Sequence, residues 1–419
     1  VQHEVRYPGQ AAQGRRLVEI SQQRNGTQTP ERCALVLSAN DGEHTKPCSE
    51  PWQCATRDIS AADNQNTFHW QIFSRRSVMP FRVSIQPGGQ QFDAAEDTTI
   101  LQAALDAGFL LPYGCRDGAC GSCKGRILEG SVDYGKVSPT TLTDTDKKAG
   151  LALFCCAKPR SDLVLESKQI THSSDIPVKK LPCRVQRLEK VASDVMILEL
   201  KLPASEQFRF RAGQYIDFLL PGNRRRSFSI ANAPEAATHL ELHVRRIEGG
   251  TFTGQVFEQM KEKDILRFEG PLGSFFLREE STKPIVLLAG GTGFAPIKSI
   301  VEHVLKAGLK RSMILYWGAR NLEGLYLDDL AAKWEQMLPG FKYVPVLSDM
   351  PADLGWKGRT GLVHEAVMAD LPDLSAHQVY ACGAPAMIEA AQADFFEKCA
   401  LPREEFFADA FTYAADATI

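Results

Sequence analysis

Three cysteines, Cys115, Cys120 and Cys123, stand in the spacing C-x4-C-x2-C, in a segment that also carries Gly114, Gly118 and Gly121. That spacing brings three thiolates to a 2Fe-2S cluster, with a fourth cysteine expected far downstream. The sulfurs must converge on two irons, so the loop has to wrap tightly. Glycines let backbone amides approach the sulfurs with no Cβ in the way. Zinc is the competing metal, but its usual paired C-x2-C spacing is absent. The bland alternative is a set of buried, unliganded cysteines.

Other groups suit phosphates. Arg226-Ser227-Phe228-Ser229 follows a turn, where an arginine offers a planar fork to a diphosphate. Gly249-Gly250-Thr251-Phe252-Thr253 precedes Val256, Phe257 and Met260 on one helical face. A hydroxyl residue opening a helix adds amide donors and the positive end of the dipole. Together these suit a flavin nucleotide, although each is weak alone. The plain reading of Arg224-Arg225-Arg226 is a solvated basic turn, expected to hold for the first two. Downstream, Gly290-Gly291-Thr292-Gly293 breaks the apolar run 284–289 and leads to Ile297, Ile300, Val301 and Val304 at helical spacing. Strand, glycine turn and helix form a phosphate cradle. The pattern is not G-x-G-x-x-G, which disfavours an ordinary Rossmann dehydrogenase. Val379-Tyr380-Ala381-Cys382-Gly383 is another strand ending in glycine; Cys382 alone reads as a core residue.

The elements that must position these groups fall into three blocks. Residues 79–172 read as strand, turn, strand, helix, cysteine loop and further strands, a small α+β unit. Its helix places Ile100, Ala103, Ala104 and Ala107 on one face and ends at Gly108, a residue suited to a left-handed C-cap. Residues 173–181 read as a linker. Short alternating runs between Gly and Pro turns over 182–280 suggest an antiparallel β-barrel. From 284 to 419, strands alternate with helices, as in a parallel α/β sheet. Residues 1–78 are polar, lack a sustained period, and read as a disordered or non-native extension, with Met79 as the expected natural start. Cys33, Cys48 and Cys54 within it are unevenly spaced and read as incidental.

Composition narrows the classes. The 419 residues exceed one hydrophobic core, and 44% hydrophobic with 24% charged residues is ordinary for a globular protein. A net charge of -3 supplies no field for nucleic acid or an anionic membrane, and no run approaches the ~20 apolar residues of a membrane helix. The first residues show no secretory signal. Eleven cysteines in a chain read as cytoplasmic argue for metal or thiol chemistry over disulfides.

Over roughly 80–170 the chain resembles the plant-type ferredoxin family, which implies a β-grasp fold. In that family the last ligand lies four residues before a proline; Phe154-Cys155-Cys156-Ala157-Lys158-Pro159 makes Cys155 the match. Cys156 is expected to be structural, pointing to the other face if this segment is a strand. Over 182–419 the motifs, in order, resemble the ferredoxin-NADP reductase superfamily. The resemblance implies that Arg226 binds flavin phosphate with Ser227 beside it, Phe228 packs on the flavin, and Ser229 hydrogen-bonds near its reactive nitrogen. It implies that Gly250 and Thr253 line the pyrophosphate, that Gly291, Thr292 and Gly293 cradle NAD(P)H, and that Cys382 and Gly383 border the nicotinamide. Phe228 departs from the family's usual tyrosine; ring packing can remain while a phenolic bond is lost. Segments 106–124, 213–217, 227–234, 269–276 and 407–411 resemble the iron-sulfur flavoprotein reductases of 3,6-dideoxyhexose synthesis. The same modular order occurs in reductases of aromatic-ring and phenol oxygenases, and the last two domains are also similar to NAD(P)H:flavin reductases.

Hydride carries two electrons whereas a 2Fe-2S cluster takes one at a time, and a flavin between them resolves the mismatch. The expected activity is electron transfer from NADH or NADPH through FAD and the 2Fe-2S cluster to a protein acceptor, a sugar dehydrase or an oxygenase. A non-catalytic redox sensor is the alternative of a different class. Arg320 could meet a 2'-phosphate, whereas Glu323 could hydrogen-bond a ribose hydroxyl; the choice leans to NADH. Acids and bases nearly balance over 79–172, and a covalently linked ferredoxin needs little electrostatic recruitment.

Overall fold

The computed structural model describes residues 80–172, 176–236, 238–349 and 355–412, with the backbone of three strands nearer the N-terminus. Two compact units are present, Val1–Ser77 and Val78–Ile419. In the first, His3–Arg6, Arg15–Gln22 and Cys33–Ser38 form an antiparallel sheet in chain order, where composition had suggested no domain. The expectations for Met79 and for the side chains of Cys33, Cys48 and Cys54 lie outside the described residues.

The second unit begins with a β-grasp module. Its five-stranded sheet runs in the order Gln91–Ala94, Phe81–Gln86, Leu163–Glu166, Lys124–Glu129, Leu151–Leu153. Phe81–Gln86 and Leu163–Glu166 are parallel and the other pairs antiparallel. Alternation buries Val83 and Ile85 completely, against the buried face of the helix Ile100–Asp106. The Thr99 hydroxyl accepts from Gln102 N at 3.3 Å to start that helix, and Gly108 at φ +79° ends it.

Next comes a six-stranded antiparallel barrel. Its strands follow the order Arg224–Ser229, Tyr215–Leu220, Ile265–Leu272, Lys179–Ala192, Val195–Lys201, His239–Arg245, and an Ile230 to Leu242 bridge joins the two ends. The 14-residue strand Lys179–Ala192 starts inside the segment read as a linker, because Lys179, Lys180 and Leu181 pair with Gly270, Glu269 and Phe268.

The C-terminal sheet is wholly parallel, in the order Arg359–Thr360, Phe341–Leu347, Met313–Ala319, Ile285–Gly290, Gln378–Gly383, Phe406–Ala410. Both faces of Ile285–Gly290 are covered, which is why its apolar residues run without alternation. Successive strands add to one side of it and then to the other. The order therefore reverses between Ile285–Gly290 and Gln378–Gly383, opening a crevice at their C-terminal ends. Phe294, at the start of the helix Phe294–Ala307, stacks on Trp317 with centroids 3.8 Å apart and fixes the helix over the sheet. Among the described residues, no helix is long and apolar enough to cross a membrane.

Candidate electron-transfer site

The cysteine loop is held open by backbone conformation. Arg116, Gly118 and Gly121 all have positive φ, at 66°, 81° and 77°, so the chain turns back and aims amides at sulfur. Cys115 N lies 3.4 Å from Cys120 Sγ, Cys120 N 3.3 Å from Cys115 Sγ, and Ser122 N 3.5 Å from Cys120 Sγ. A hydrogen bond from Cys115, helped by Ser122, draws the Cys120 thiol down to about 6. Cys123 is buried and bonds to the side chain of Cys155, which pushes the Cys155 thiol up to about 12.

Cys115 and Cys120 thus face each other, each backbone amide aimed at the other's sulfur, and Cys123 pairs with Cys155 as the cause of the shift in its thiol. Among the described residues no three His, Cys, Asp or Glu side chains converge as a site for a single ion. Two pairs are the arrangement a two-iron cluster requires, since each iron takes two of the four thiolates. The donor set and its amides therefore fit the cluster.

Cys156 corrects a sequence expectation. Residues 154–156 form a turn and not a strand, because Cys156 N and Ala157 N both bond to Leu153 O, at 2.9 and 2.8 Å. Its thiol does not point away from that of Cys155; the two sulfurs lie 3.6 Å apart. A Cβ on Gly118 would come within 2.8 Å of Cys156 Sγ, so that glycine makes room for Cys156.

In the barrel, alternation along Arg224–Ser229 separates the motif into two faces. Ser229 is buried and Ser227 donates to Asp217 Oδ1 at 2.6 Å. Phe228, on the opposite face with Arg226, packs against Phe218 and Phe252 at 5.8 and 5.6 Å between centroids. Arg225 is exposed, as expected, but lies in the strand and pairs with Asp217 and Glu269. Gly250 caps the helix Thr251–Glu258 without a side-chain bond. The Thr253 hydroxyl is buried, taking the Ile247 amide at 3.1 Å, while Thr251 lines a cleft of about 630 Å³ with Gly249, Gly250 and Arg246. An uncapped helix start facing an open cleft fits a flavin diphosphate.

At the crevice of the parallel sheet, Gly291, Thr292 and Gly293 make a single 3-10 turn into the helix Phe294–Ala307. A Cβ on Gly293 would sit 2.0 Å from Cys382 O, and one on Gly291 2.8 Å from Arg245 Nη1. The Arg245 guanidinium stands over this turn, its Nε ion-paired with Asp194 Oδ2 at 3.3 Å without an aligned hydrogen bond. A guanidinium above a glycine turn fits a dinucleotide phosphate. Glu323 is exposed, its carboxylate accepting from Ser193 N at 2.6 Å.

Asp409, on the last strand, gathers residues from all three modules. Ser229 Oγ donates to its Oδ2 at 3.3 Å, and Cys382, its register partner, brings Sγ within 4.0 Å. A Cβ on Gly114 would lie 3.7 Å from its Oδ1. Burial, then the nearby Cys120 thiol, raise its carboxyl to about 7, with Ser229 pulling the other way. Burial pushes the Cys382 thiol up. Ser229, Gly293, Cys382 and Gly383 are thus brought together, while Arg226 and Phe228 lie on the other face of their strand. Sequence reasoning assigned no role to Tyr215, Arg245, Thr251 or Asp409. The 213–217 and 407–411 segments were the available signals for Tyr215 and Asp409.

A cysteine-lined β-grasp module, an antiparallel flavin-type barrel and a parallel sheet with a glycine crevice define an electron-transfer oxidoreductase. Family models agree module by module: a 2Fe-2S iron-sulfur cluster binding domain over 83–160, an oxidoreductase FAD-binding domain over 182–277 and an oxidoreductase NAD-binding domain over 287–393. The chain is 44% identical over 333 residues to the CDP-6-deoxy-L-threo-D-glycero-4-hexulose-3-dehydrase reductase of Yersinia pseudotuberculosis, spanning 80% of this chain and 99% of the relative. It is 36% identical to the reductase component of phenol 2-monooxygenase of a Pseudomonas species, spanning 81% and 96%. A solved cytochrome P450 reductase of Amycolatopsis aligns with a TM-score of 0.65 and 35% identity, over 80% of this chain and all of the other. The chain belongs to the family of ferredoxin-fused NAD(P)H-dependent flavoprotein reductases, of the CDP-6-deoxy-3,4-glucoseen reductase type. It is an oxidoreductase that moves electrons from NAD(P)H through FAD and a 2Fe-2S cluster to a protein acceptor.

Proposed function

We propose that the acceptor is a sugar dehydrase acting on a CDP-linked deoxyhexulose, and that the protein works in the cytoplasm. The 44% identity to such a dehydrase's reductase, at 99% coverage of that relative, carries the reading. When bound, the cofactors convert the electron pair of a hydride into single electrons.

The residues of the chain divide the task. Cys115, Cys120, Cys123 and Cys155 hold the cluster, supported by their paired sulfurs and the amides that face them. Arg226, Ser227, Gly250 and Thr253 hold the flavin, with Thr251 at the cleft mouth. Phe228 braces the flavin strand from within the barrel. Gly291, Thr292 and Gly293 admit the dinucleotide phosphates beneath Arg245, and Gly383 leaves room beside the nicotinamide. Ser229 and Cys382 orient the reacting rings, and Asp409 holds the Ser229 hydroxyl. Steady-state NADH oxidation by the full chain, with the dehydrase and its CDP-sugar or with a phenol hydroxylase, tests the choice. Stimulation by the dehydrase pair is expected; stimulation by the hydroxylase alone would overturn it.

A further inference from the structure

The cysteine loop is gripped by the barrel beside Ser229. Tyr215 stands directly opposite Ser229 in the strand pair, so the two side chains emerge on the same face. From there the Tyr215 hydroxyl donates to Gly114 O across 2.6 Å; Gly114 immediately precedes Cys115. The β-grasp module returns a tyrosine of its own: Tyr113 Oη accepts from Gly273 N at 2.8 Å. Ser274 closes the clamp, its Oγ accepting from Tyr113 N at 2.8 Å and donating to Tyr113 O at 3.0 Å. Both tyrosines are 5% exposed. Gly273 has φ +95°, and a Cβ there would strike the Tyr215 ring at 2.8 Å. The backbone is therefore shaped around that ring. Farther away, Gln169 Nε2 donates to the carbonyls of Glu404 and Phe406, each at 3.0 Å.

We infer that Tyr215 is a positioning residue that holds the β-grasp module in the place where its cluster is reduced, so that the module does not have to leave its dock between turnovers. The inference rests on the function proposed above and adds no chemical step to it. Five hydrogen bonds converge on the two residues before Cys115, those of the two tyrosine hydroxyls buried and those of the Ser274 hydroxyl part-buried. A contact of passage would leave such groups wet; here, undocking would leave the Tyr215 hydroxyl and the Gly114 carbonyl without their partners. The loop stays reachable while docked, because Cys155 and Arg116 line a cleft of about 360 Å³ rimmed by the exposed Asp97.

The test uses full-length holoprotein and two variants, Tyr215→Phe and Ser274→Ala, the second carrying the test if the first loses its cofactors. Hydrogen exchange of 113–123 is expected to rise about fivefold, the factor for one buried hydrogen bond of ~1 kcal/mol. In stopped flow, bleaching of the flavin by NADH keeps its rate while bleaching of the cluster slows by a similar factor. Unchanged exchange and unchanged cluster bleaching in both variants would overturn the positioning role alone. An unmodified protein whose cluster never bleaches with NADH would sink the proposed function and this inference together.

Discussion

Ser229 and Asp409 meet across 3.3 Å although 180 residues separate them. One lies on the flavin barrel and the other on the edge strand of the parallel sheet, so this hydrogen bond helps tie the two crevice walls together. Cys382 lies against the same carboxyl.

Removing that carboxyl should leave the buried Ser229 hydroxyl unpaired and free to rotate. Asp409→Ala is expected to slow reduction of the flavin by NADH about 2- to 10-fold, the range for ~0.5–1.5 kcal/mol lost with one hydrogen bond. Asp409→Asn keeps an acceptor and should lose less. Stopped-flow bleaching at saturating NADH measures both, and a full rate in Asp409→Ala would remove Asp409 from the site.

The two cysteine pairs predict which thiols are essential. Cys120→Ser should lower bound iron from about two per chain to near zero and abolish the visible spectrum of the cluster, while the flavin still bleaches with NADH. Cys156→Ala should retain iron, because Cys155 supplies the fourth thiolate. Iron and sulfide analysis decides the matter; loss of iron in Cys156→Ala and retention in Cys155→Ala would exchange their roles.

Gly293 tolerates no side chain, since its Cβ would overlap the Cys382 carbonyl at 2.0 Å. Gly293→Ala should displace the turn, cost about 1–3 kcal/mol of stability and weaken NADH binding about tenfold or more. The control is Gly249→Ala, where a Cβ meets nothing within 4 Å and the strain comes from φ +71°. NADH titration and thermal melting of the pair separate a packing clash from plain backbone strain.

A buried polar chain joins the barrel to the parallel sheet: Tyr326 to His243 at 2.8 Å, His243 to Glu241 at 2.8 Å, and Glu241 to Lys298 at 3.0 Å. Burial alone would raise Glu241, but His243 and Lys298 outweigh it and hold the carboxyl at about 2, against 4.5 ordinarily. Burial also lowers His243 below its ordinary 6.5. In both cases the unfolded chain takes up a proton that the folded chain refuses, so this stability is complete above pH 6.5. It is lost as pH falls, first through the histidine and then, between 4.5 and 2, through the glutamate. Glu241 accounts for up to about 3 kcal/mol. Glu241→Gln should therefore lower the unfolding midpoint at pH 7, with the gap to the unmodified protein narrowing below pH 4.5 and closing only near pH 2. A gap that stays constant with pH would refute the linkage.

Much of the site was legible because its chemistry is local. Cys115, Cys120 and Cys123 sit within one loop, and the Gly291 to Gly293 turn follows its own strand, so spacing alone exposes them. The helix over Ile100–Asp106 was legible for the same reason, its apolar period matching the helical turn. The orientation of Cys156 was not legible because the alternation rule holds in strands, and Leu153 O captures two amides to make a turn there instead. The ion pairs of Arg225 were not legible because its partners, Asp217 and Glu269, come from neighbouring strands whose register the sequence does not display.

The order of the three modules, their cofactors and three of the four cluster thiolates follow from the sequence by itself, since each is written in residues within a few turns of chain. Tertiary structure alone decided that Asp409 reaches Ser229, that Tyr215 reaches Gly114 and that Arg245 covers Gly291. Those contacts join residues from 46 to 180 positions apart, and no periodicity specifies them. They arise because Phe406–Ala410 buries its apolar residues beside Gln378–Gly383. They also need the barrel to close with Tyr215 and Ser229 on one face. Burial of side chains across whole domains sets those positions, and the hydrogen bonds then select one register among the packed alternatives.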